Sequence, residues 1–217
     1  SVDDGAGRDV TLTPGRPLAR EWRVPGDPSQ AAFFCVLGAI HRDARVDVID
    51  VDGAPERTGF VAVLQRMGAT VRMEPTASGV TFSASSSTLA ATEVHANEIP
   101  SVDEVPALTV AAAAATGVTV FRSVGELRVK ESDRLEGSRE LAQALGCRSW
   151  IEGDDLFVEG LGSAARFEGF ELSARLDHRM AMAAAVAATC GAGGVISGDD
   201  AVASSYPDFF ADVASLT

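Results

Sequence analysis

The sequence predicts a mixed α/β (α+β) fold: an inside-out, barrel-like domain of three βαβαββ units, with buried helices and a truncated third unit. Two observations predict it. Aspartates open three Ala-rich apolar stretches at spacings of 76 and 74 residues, from Asp27 to Asp103 and from Asp103 to Asp177. These stretches have no polar face, which is typical of helices that lie inside a core, so the sheets are expected on the outside.

Each unit repeats the same order of elements. Aspartate is a favoured N-cap, because its carboxylate accepts free N–H groups of the first helical turn, and Pro28 suits the first helical position. Val-rich segments with strand character follow the three helices at 45–51, 118–124 and 194–197. Second helices are expected at about 56–67, 132–145 and from 207 onward. Strand pairs close the first two units at 70–74 with 80–83, and at 148–152 with 156–158.

The third unit is expected to be incomplete. Glycine is common just after a helix end, and Gly68 and Gly146 follow their capping aspartates by 41 and 43 residues (27 to 68, 103 to 146). The same interval from Asp177 falls at about position 219, beyond Thr217. We therefore expect residues 1–19 to be a remnant strand of an upstream domain with its hinge, and residues 20–217 to be the domain itself. Its units are expected at about 20–90, 91–165 and 166–217.

Composition excludes several classes of protein. A net charge of −13 argues against binding to nucleic acid or to a membrane surface, and no apolar run is long enough to span a bilayer. The first residues lack the basic and apolar segments of a signal peptide. Three scattered cysteines favour reduced thiols and a cytoplasmic location, with Cys35 and Cys190 in the core.

The densest group of charges, residues 126–134, lies where a strand passes into a helix. Lys130 is the only lysine among 18 basic residues, and Arg134 lies four residues later, so both can face one way. Arg179 lies in the first turn of another helix, where an anion is favoured but an arginine is not. These cations predict a phosphate or carboxylate site, against the alternative of a solvated surface. Asp103 is either a helix cap or a group that accepts a proton from a substrate hydroxyl.

Five strings carry a resemblance to a known family: GDPSQAAF, IPSVDEVPALTVAAA, LRVKESDRL, LDHRMAMA and SYPDFF. In this order and spacing, from about Arg20 to Thr217, the chain resembles the C-terminal half of the 5-enolpyruvylshikimate-3-phosphate synthase family. The resemblance implies an enzyme of two domains, each of three such units, that closes on its substrates. It implies transfer of the enolpyruvyl group of phosphoenolpyruvate to the 5-hydroxyl of shikimate 3-phosphate, with release of phosphate, in aromatic amino acid biosynthesis. It implies no cofactor and no metal.

The resemblance also implies roles for single residues. Asp103 is similar to the base near the 5-hydroxyl, and Lys130 to a contact for the shikimate phosphate and for proton transfer. Glu131 is similar to the carboxylate that exchanges a proton with the methylene carbon. Arg134 and Arg179 are similar to the clamps on phosphoenolpyruvate. Many members carry a lysine where this chain has Ser204, which puts one phosphoenolpyruvate contact in doubt.

The expected partners are the two substrates and the N-terminal domain, supplied in cis or in trans. We expect this chain alone to be inactive, because both half-sites must close around the substrates. Two alternatives remain open. One is the related transferase that acts on UDP-N-acetylglucosamine, against which the KESDR string argues. The other is a non-catalytic half that requires a second polypeptide.

Overall fold

The computed structural model describes residues 13–16, 18–162 and 166–216, and it has the mixed α/β fold that the sequence predicts. Most of the strand expected within residues 1–19 lies outside the described residues. In the described part of the chain, no helix is both long and apolar enough to cross a membrane.

The first sheet follows a helix that begins at the predicted cap. Asp27 caps this helix, its carboxylate accepts the Ser29 N–H, and Pro28 is the first helical residue. The elements are α1 (Pro28–Ile40), β1 (Arg45–Val51), α2 (Gly59–Arg66), β2 (Thr70–Pro75) and β3 (Val80–Ser85). The strands are antiparallel in the order β1-β3-β2, and Gly26 forms a parallel bridge to Val51.

The second sheet has the same antiparallel core with one extra parallel strand. Its elements are β4 (Glu93–His95), α3 (Val105–Ala114), β5 (Thr116–Arg122), α4 (Arg134–Ala144), β6 (Arg148–Glu152) and β7 (Asp155–Leu161). The strand order is β4-β5-β7-β6, with β4 parallel to β5 and the other pairs antiparallel.

The third sheet has two described strands, β8 and β9, which are parallel. The elements are β8 (Phe170–Ser173), α5 (His178–Thr189), β9 (Gly194–Ser197) and α6 (Phe209–Leu216). Asp177 caps α5 by accepting the Arg179 N–H.

The core lies around α1, α3 and α5, which pack against one another. Every residue of α3 except Ala114 is buried, and α1 and α5 are buried over most of their length, as expected for helices without a polar face. The three N-termini carry the aspartates, so the packing of these helices positions the candidate site.

Several predicted boundaries were wrong, and one error concerns the site. Asp103 does not cap α3: the helix begins at Val105, Glu104 occupies the N-cap position, and neither side chain makes a cap hydrogen bond. Val102, the residue before Asp103, has a left-handed backbone with φ of 50°. The Asp103 carboxylate accepts a hydrogen bond from Arg134 instead, so a contact distant in sequence overrides the local capping preference.

The other errors are small and also have local causes. Strand β5 ends at Arg122 rather than at the predicted position 124, because the backbone of Ser123 is left-handed with φ of 58°. Residues Pro55–Arg57 form a 3₁₀ turn, so α2 begins later than predicted. Helix α4 begins at Arg134 with Asp133 as its N-cap, two residues after the expected start at 132.

Candidate active site

Arg134 is the centre of the site. It is the first residue of α4 and its side chain is only 1% exposed. Its Nε and Nη2 donate to the two carboxylate oxygens of Asp177 at 2.8 and 3.1 Å, and its Nη1 donates to Asp103 Oδ1 at 3.0 Å. Its Nη2 also lies 2.6 Å from Glu131 Oε2. Three carboxylates therefore engage this guanidinium, which links the start of α4 to the N-terminal ends of α3 and α5.

Asp177 is the buried counterpart of Arg134. It is fully buried, and it also accepts hydrogen bonds from the Arg179 N–H at 3.0 Å and from Ser132 Oγ at 2.9 Å. Burial alone would raise the pKa of this carboxyl, but the hydrogen bonds and charge of Arg134 outweigh burial and hold the pKa below its usual range. Asp177 is therefore ionised at neutral pH, where it orients the Arg134 guanidinium and caps the helix that carries Arg179.

Asp103 lies among three cations. Lys130 Nζ is 3.6 Å from Asp103 Oδ1, the same oxygen that accepts from Arg134, and Arg179 Nη2 is 3.5 Å from Oδ2. Lys130 also donates to Glu126 Oε1 at 2.5 Å. The five residues predicted from sequence are thus brought together, although they span positions 103 to 179.

Arg179 differs from Arg134 in how its guanidinium is bonded. Its side chain is 9% exposed, yet its Nη2 makes only long ion pairs, at 3.5 Å to Asp103 and 3.8 Å to Asp27. Both are longer than a charge-assisted hydrogen bond. Its Nη1 is buried and has no hydrogen-bond partner among the described residues. A buried guanidinium with unused donors suits an oxyanion, which can accept two parallel N–H bonds.

Three residues of the cluster were missed by the sequence analysis. Arg57 donates to Asp27 Oδ1 at 2.6 Å, and Glu104 accepts from Ser29 Oγ at 2.5 Å. Asp177 was predicted only as a cap. The signal for Arg57 was present, because it follows Asp27 by 30 residues as Arg134 follows Asp103 by 31. Nothing local marks Glu104 as part of the cluster, because its shortest hydrogen bond comes from Ser29, 75 residues away.

Two further residues bear on the site, of which only Ser204 was named from sequence. His178 is the first residue of α5; partial burial and the charges of Arg179 and Arg134 lower its pKa, so it is neutral at pH 7. Ser204 is exposed, and its Oγ donates to the Ala201 carbonyl at 2.7 Å.

The arrangement can do two kinds of chemistry. The Asp103 side chain is 21% exposed, so its carboxylate can reach a substrate hydroxyl and accept a proton from it. Arg179, Lys130 and the first turn of α5 can hold the negative charge of a phosphate or carboxylate.

Comparisons with known proteins agree on one family. The model of the family "EPSP synthase (3-phosphoshikimate 1-carboxyvinyltransferase)" matches residues 1–213. The 3-phosphoshikimate 1-carboxyvinyltransferase of Limosilactobacillus fermentum is 41% identical and aligns with 98% of this chain and 51% of its own length. That of Nitrobacter hamburgensis is 40% identical and aligns with 96% of this chain and 48% of its own length. The chain therefore spans about half the length of these curated relatives.

Solved structures give the same result. The structure of EPSP synthase from Acinetobacter baumannii matches with a TM-score of 0.84 and 34% identity, over 89% of this chain and 46% of that one. The enolpyruvyl transferase NikO from Streptomyces tendae matches with a TM-score of 0.66 over 88% of this chain and 42% of that one, at 24% identity, which shows the fold alone.

Proposed function

The chain belongs to the EPSP synthase family, and on that premise we propose that it forms one half-site of a 3-phosphoshikimate 1-carboxyvinyltransferase. The observation that carries this proposal is the buried guanidinium of Arg179, with an unused donor, beside the accessible carboxylate of Asp103. One group can bind the phosphate or carboxylate of phosphoenolpyruvate, and the other can deprotonate the attacking hydroxyl.

In the proposed reaction, the 5-hydroxyl of shikimate 3-phosphate adds to C2 of phosphoenolpyruvate while C3 gains a proton. Loss of phosphate and of a proton from C3 then gives the enol ether. Asp103 accepts the hydroxyl proton, Glu131 exchanges the proton at C3, and Lys130 contacts the shikimate phosphate.

Arg179 and Arg134 are proposed to bind phosphoenolpyruvate, but they are not equally available. Arg134 already contacts three carboxylates, of which Glu131, at 55% exposure, is the most accessible. We infer that the ligand displaces Glu131 from Arg134, which frees one N–H of Arg134 Nη2 and the Glu131 carboxylate that acts on C3, while Nη2 keeps its hydrogen bond to Asp177.

We also propose that the chain is built from repeated units. We infer three βαβαββ units, at about 20–90, 91–165 and 166–217, around the central helices α1, α3 and α5. The first two sheets support it, since β1-β3-β2 and β5-β7-β6 have the same order and direction. A parallel strand or bridge beside β1, β5 and β9 supports it further.

The proposed partners are the two substrates and a second domain that supplies the other wall of the site. Relatives about twice as long as this chain support the second domain. We propose a cytoplasmic location, which the three free cysteines support. The names of the relatives favour the shikimate substrate over UDP-N-acetylglucosamine.

Binding of phosphoenolpyruvate to this chain tests the proposal. Arg179→Gln should weaken the affinity by at least tenfold in an NMR titration, since about 1.4 kcal/mol of charge-assisted bonding is lost. Arg148→Gln is the control, because Arg148 lies on β6 and its side chain is 76% exposed. Equal affinities of wild type and Arg179→Gln, or no binding by wild type, would contradict the proposed site.

A further inference from the structure

We propose that Arg57 is a positioning residue that keeps Arg179 available to an oxyanion by neutralising Asp27. This inference rests on the proposed function, because it requires Arg179 to be the oxyanion ligand. Arg57 itself does not touch the ligand in this account.

The geometry fixes Arg57 on Asp27. Its Nη2 donates to Asp27 Oδ1 at 2.6 Å and to Ser29 Oγ at 3.2 Å. Ser29 Oγ in turn donates to the buried Glu104 at 2.5 Å, so the position of Arg57 is set by both the first and the second unit. The Arg57 side chain is 40% exposed, but its Nε is buried without a partner in the described part of the chain.

Arg57 and Arg179 share one carboxylate unequally. Arg57 lies 2.6 Å from Oδ1 of Asp27, whereas Arg179 Nη2 lies 3.8 Å from Oδ2. Within the described residues, these two are the cations that pair with Asp27. A carboxylate that is already engaged by one arginine attracts a second less strongly than a free carboxylate would. Without Arg57, a shift of about 1 Å would bring Arg179 to the distance of a charge-assisted hydrogen bond with Asp27.

Arg134 indicates the result of such a shift. Its guanidinium is held at close range by Asp177, Asp103 and Glu131, and its nitrogens are engaged. Arg179 is similarly buried but has no close carboxylate, and its Nη1 is unpartnered within the described residues. Whether a guanidinium keeps a donor free for an oxyanion therefore depends on the distance to the nearest carboxylate, which Arg57 controls on the Asp27 side.

A double-mutant cycle tests this inference on the full chain. Phosphoenolpyruvate and, separately, inorganic phosphate are titrated into wild type, Arg57→Gln, Asp27→Asn and the double variant, and followed by NMR. Arg57→Gln should weaken both affinities by roughly three- to tenfold, because Asp27 then captures Arg179. Asp27→Asn retains the N-cap, since asparagine caps as well as aspartate, and should bind at least as tightly as wild type. In the Asp27→Asn background, Arg57→Gln should change the affinity by less than about twofold.

Two further variants control the cycle. Arg66→Gln removes an arginine of the same 40% exposure, paired with Glu98 at 2.8 Å near the C-terminal end of α2, and should bind as wild type. Arg57→Lys keeps a cation on Asp27 and should recover part of the loss, which a defect in folding would not allow.

The outcomes separate this inference from the proposed function. Wild-type affinity in Arg57→Gln, or a double variant as weak as Arg57→Gln, overturns the role of Arg57 while the site itself survives. If wild type binds neither probe, the proposed site fails and this inference fails with it.

Discussion

At the scale of the residue, the bonding of each charged group decides its role better than its type does. Arg134 and Arg179 are both arginines at helix N-termini and both are nearly buried. Sequence alone predicted the same role for both. Only the distances to Asp177, Asp103 and Asp27 show that Arg134 has close carboxylate partners whereas Arg179 has a free donor. Distances between residues far apart in the sequence cannot be read from a local motif.

The substitution Asp177→Asn tests whether the buried ion pair between Asp177 and Arg134 stabilises the fold. Asparagine can still accept the Arg179 N–H, but the Arg134 charge loses its fully buried counter-charge. We expect the free energy of unfolding in urea at pH 7 to fall by about 3–5 kcal/mol. The control Asp133→Asn changes an accessible cap of α4 and should cost less than about 1 kcal/mol. A loss for Asp177→Asn as small as that of the control would show that the pair is not structural.

The pH dependence of stability follows from the same carboxyl group. The folded-state pKa of Asp177 lies below its ordinary value. The ion pair with Arg134 therefore contributes its full stabilisation of the fold at pH values above that ordinary value. The contribution is lost as the pH falls through the folded-state pKa. Urea unfolding at pH values below about 4 should therefore show a steeper fall in stability for wild type than for Asp177→Asn. Parallel profiles would contradict the role given to Asp177.

Asp103 is the residue on which the proposed chemistry depends. In the proposed enzyme of this chain and a second domain, Asp103→Ala should lower turnover by about 10²–10⁴, the usual contribution of a general base. Asp154→Asn, which changes an accessible carboxylate outside the cluster, should leave turnover unchanged. Near-normal turnover by Asp103→Ala would remove it from the reaction.

At the scale of the element, signals that depend on neighbouring residues were reliable. Gly68 and Gly146 follow helix ends as predicted, with φ of 93° and 88°, the left-handed conformation that is common for a glycine in this position. The start of α3 was wrong, because Asp103 has the pattern of a cap but is bonded to Arg134, 31 residues away. The sequence could predict that a helix lies there, but not which contact competes for its first carboxylate.

Packing of α3 on β7 gives a prediction at this scale. A Cβ on Gly160 would lie against the carbonyl oxygens of Ala112 and Ala115, closer than real Cβ atoms approach backbone, whereas one on Gly169 meets nothing nearer than 3.9 Å. Gly160→Ala should therefore destabilise the chain by about 1–3 kcal/mol or more, and Gly169→Ala should have little effect. Thermal unfolding of the two variants measures this difference; equal midpoints would contradict the close packing.

At the scale of the whole molecule, the regular spacing of the three aspartates predicted the burial of the helices that follow them. A helix without a polar face must be buried against other elements, and α1, α3 and α5 pack against one another. The predicted site residues also come together, since helix N-termini meet at one end of the domain. Glu104 escaped prediction because its hydrogen bond from Ser29 forms only when α1 and α3 pack together, whereas Arg57 repeats the spacing between Asp103 and Arg134 and could have been predicted from it.

The most direct test of the central claim is phosphate release from phosphoenolpyruvate and shikimate 3-phosphate, measured for residues 1–217 alone and after mixing with a separately expressed other domain. One wall of a site cannot orient two substrates, and orientation supplies about 7–11 kcal/mol of barrier lowering. We expect negligible phosphate release by the chain alone. In the mixture, phosphate release should require both polypeptides and should be lost when Asp103 is replaced. Robust turnover by residues 1–217 alone would contradict this expectation, as would a folded mixture that releases no phosphate.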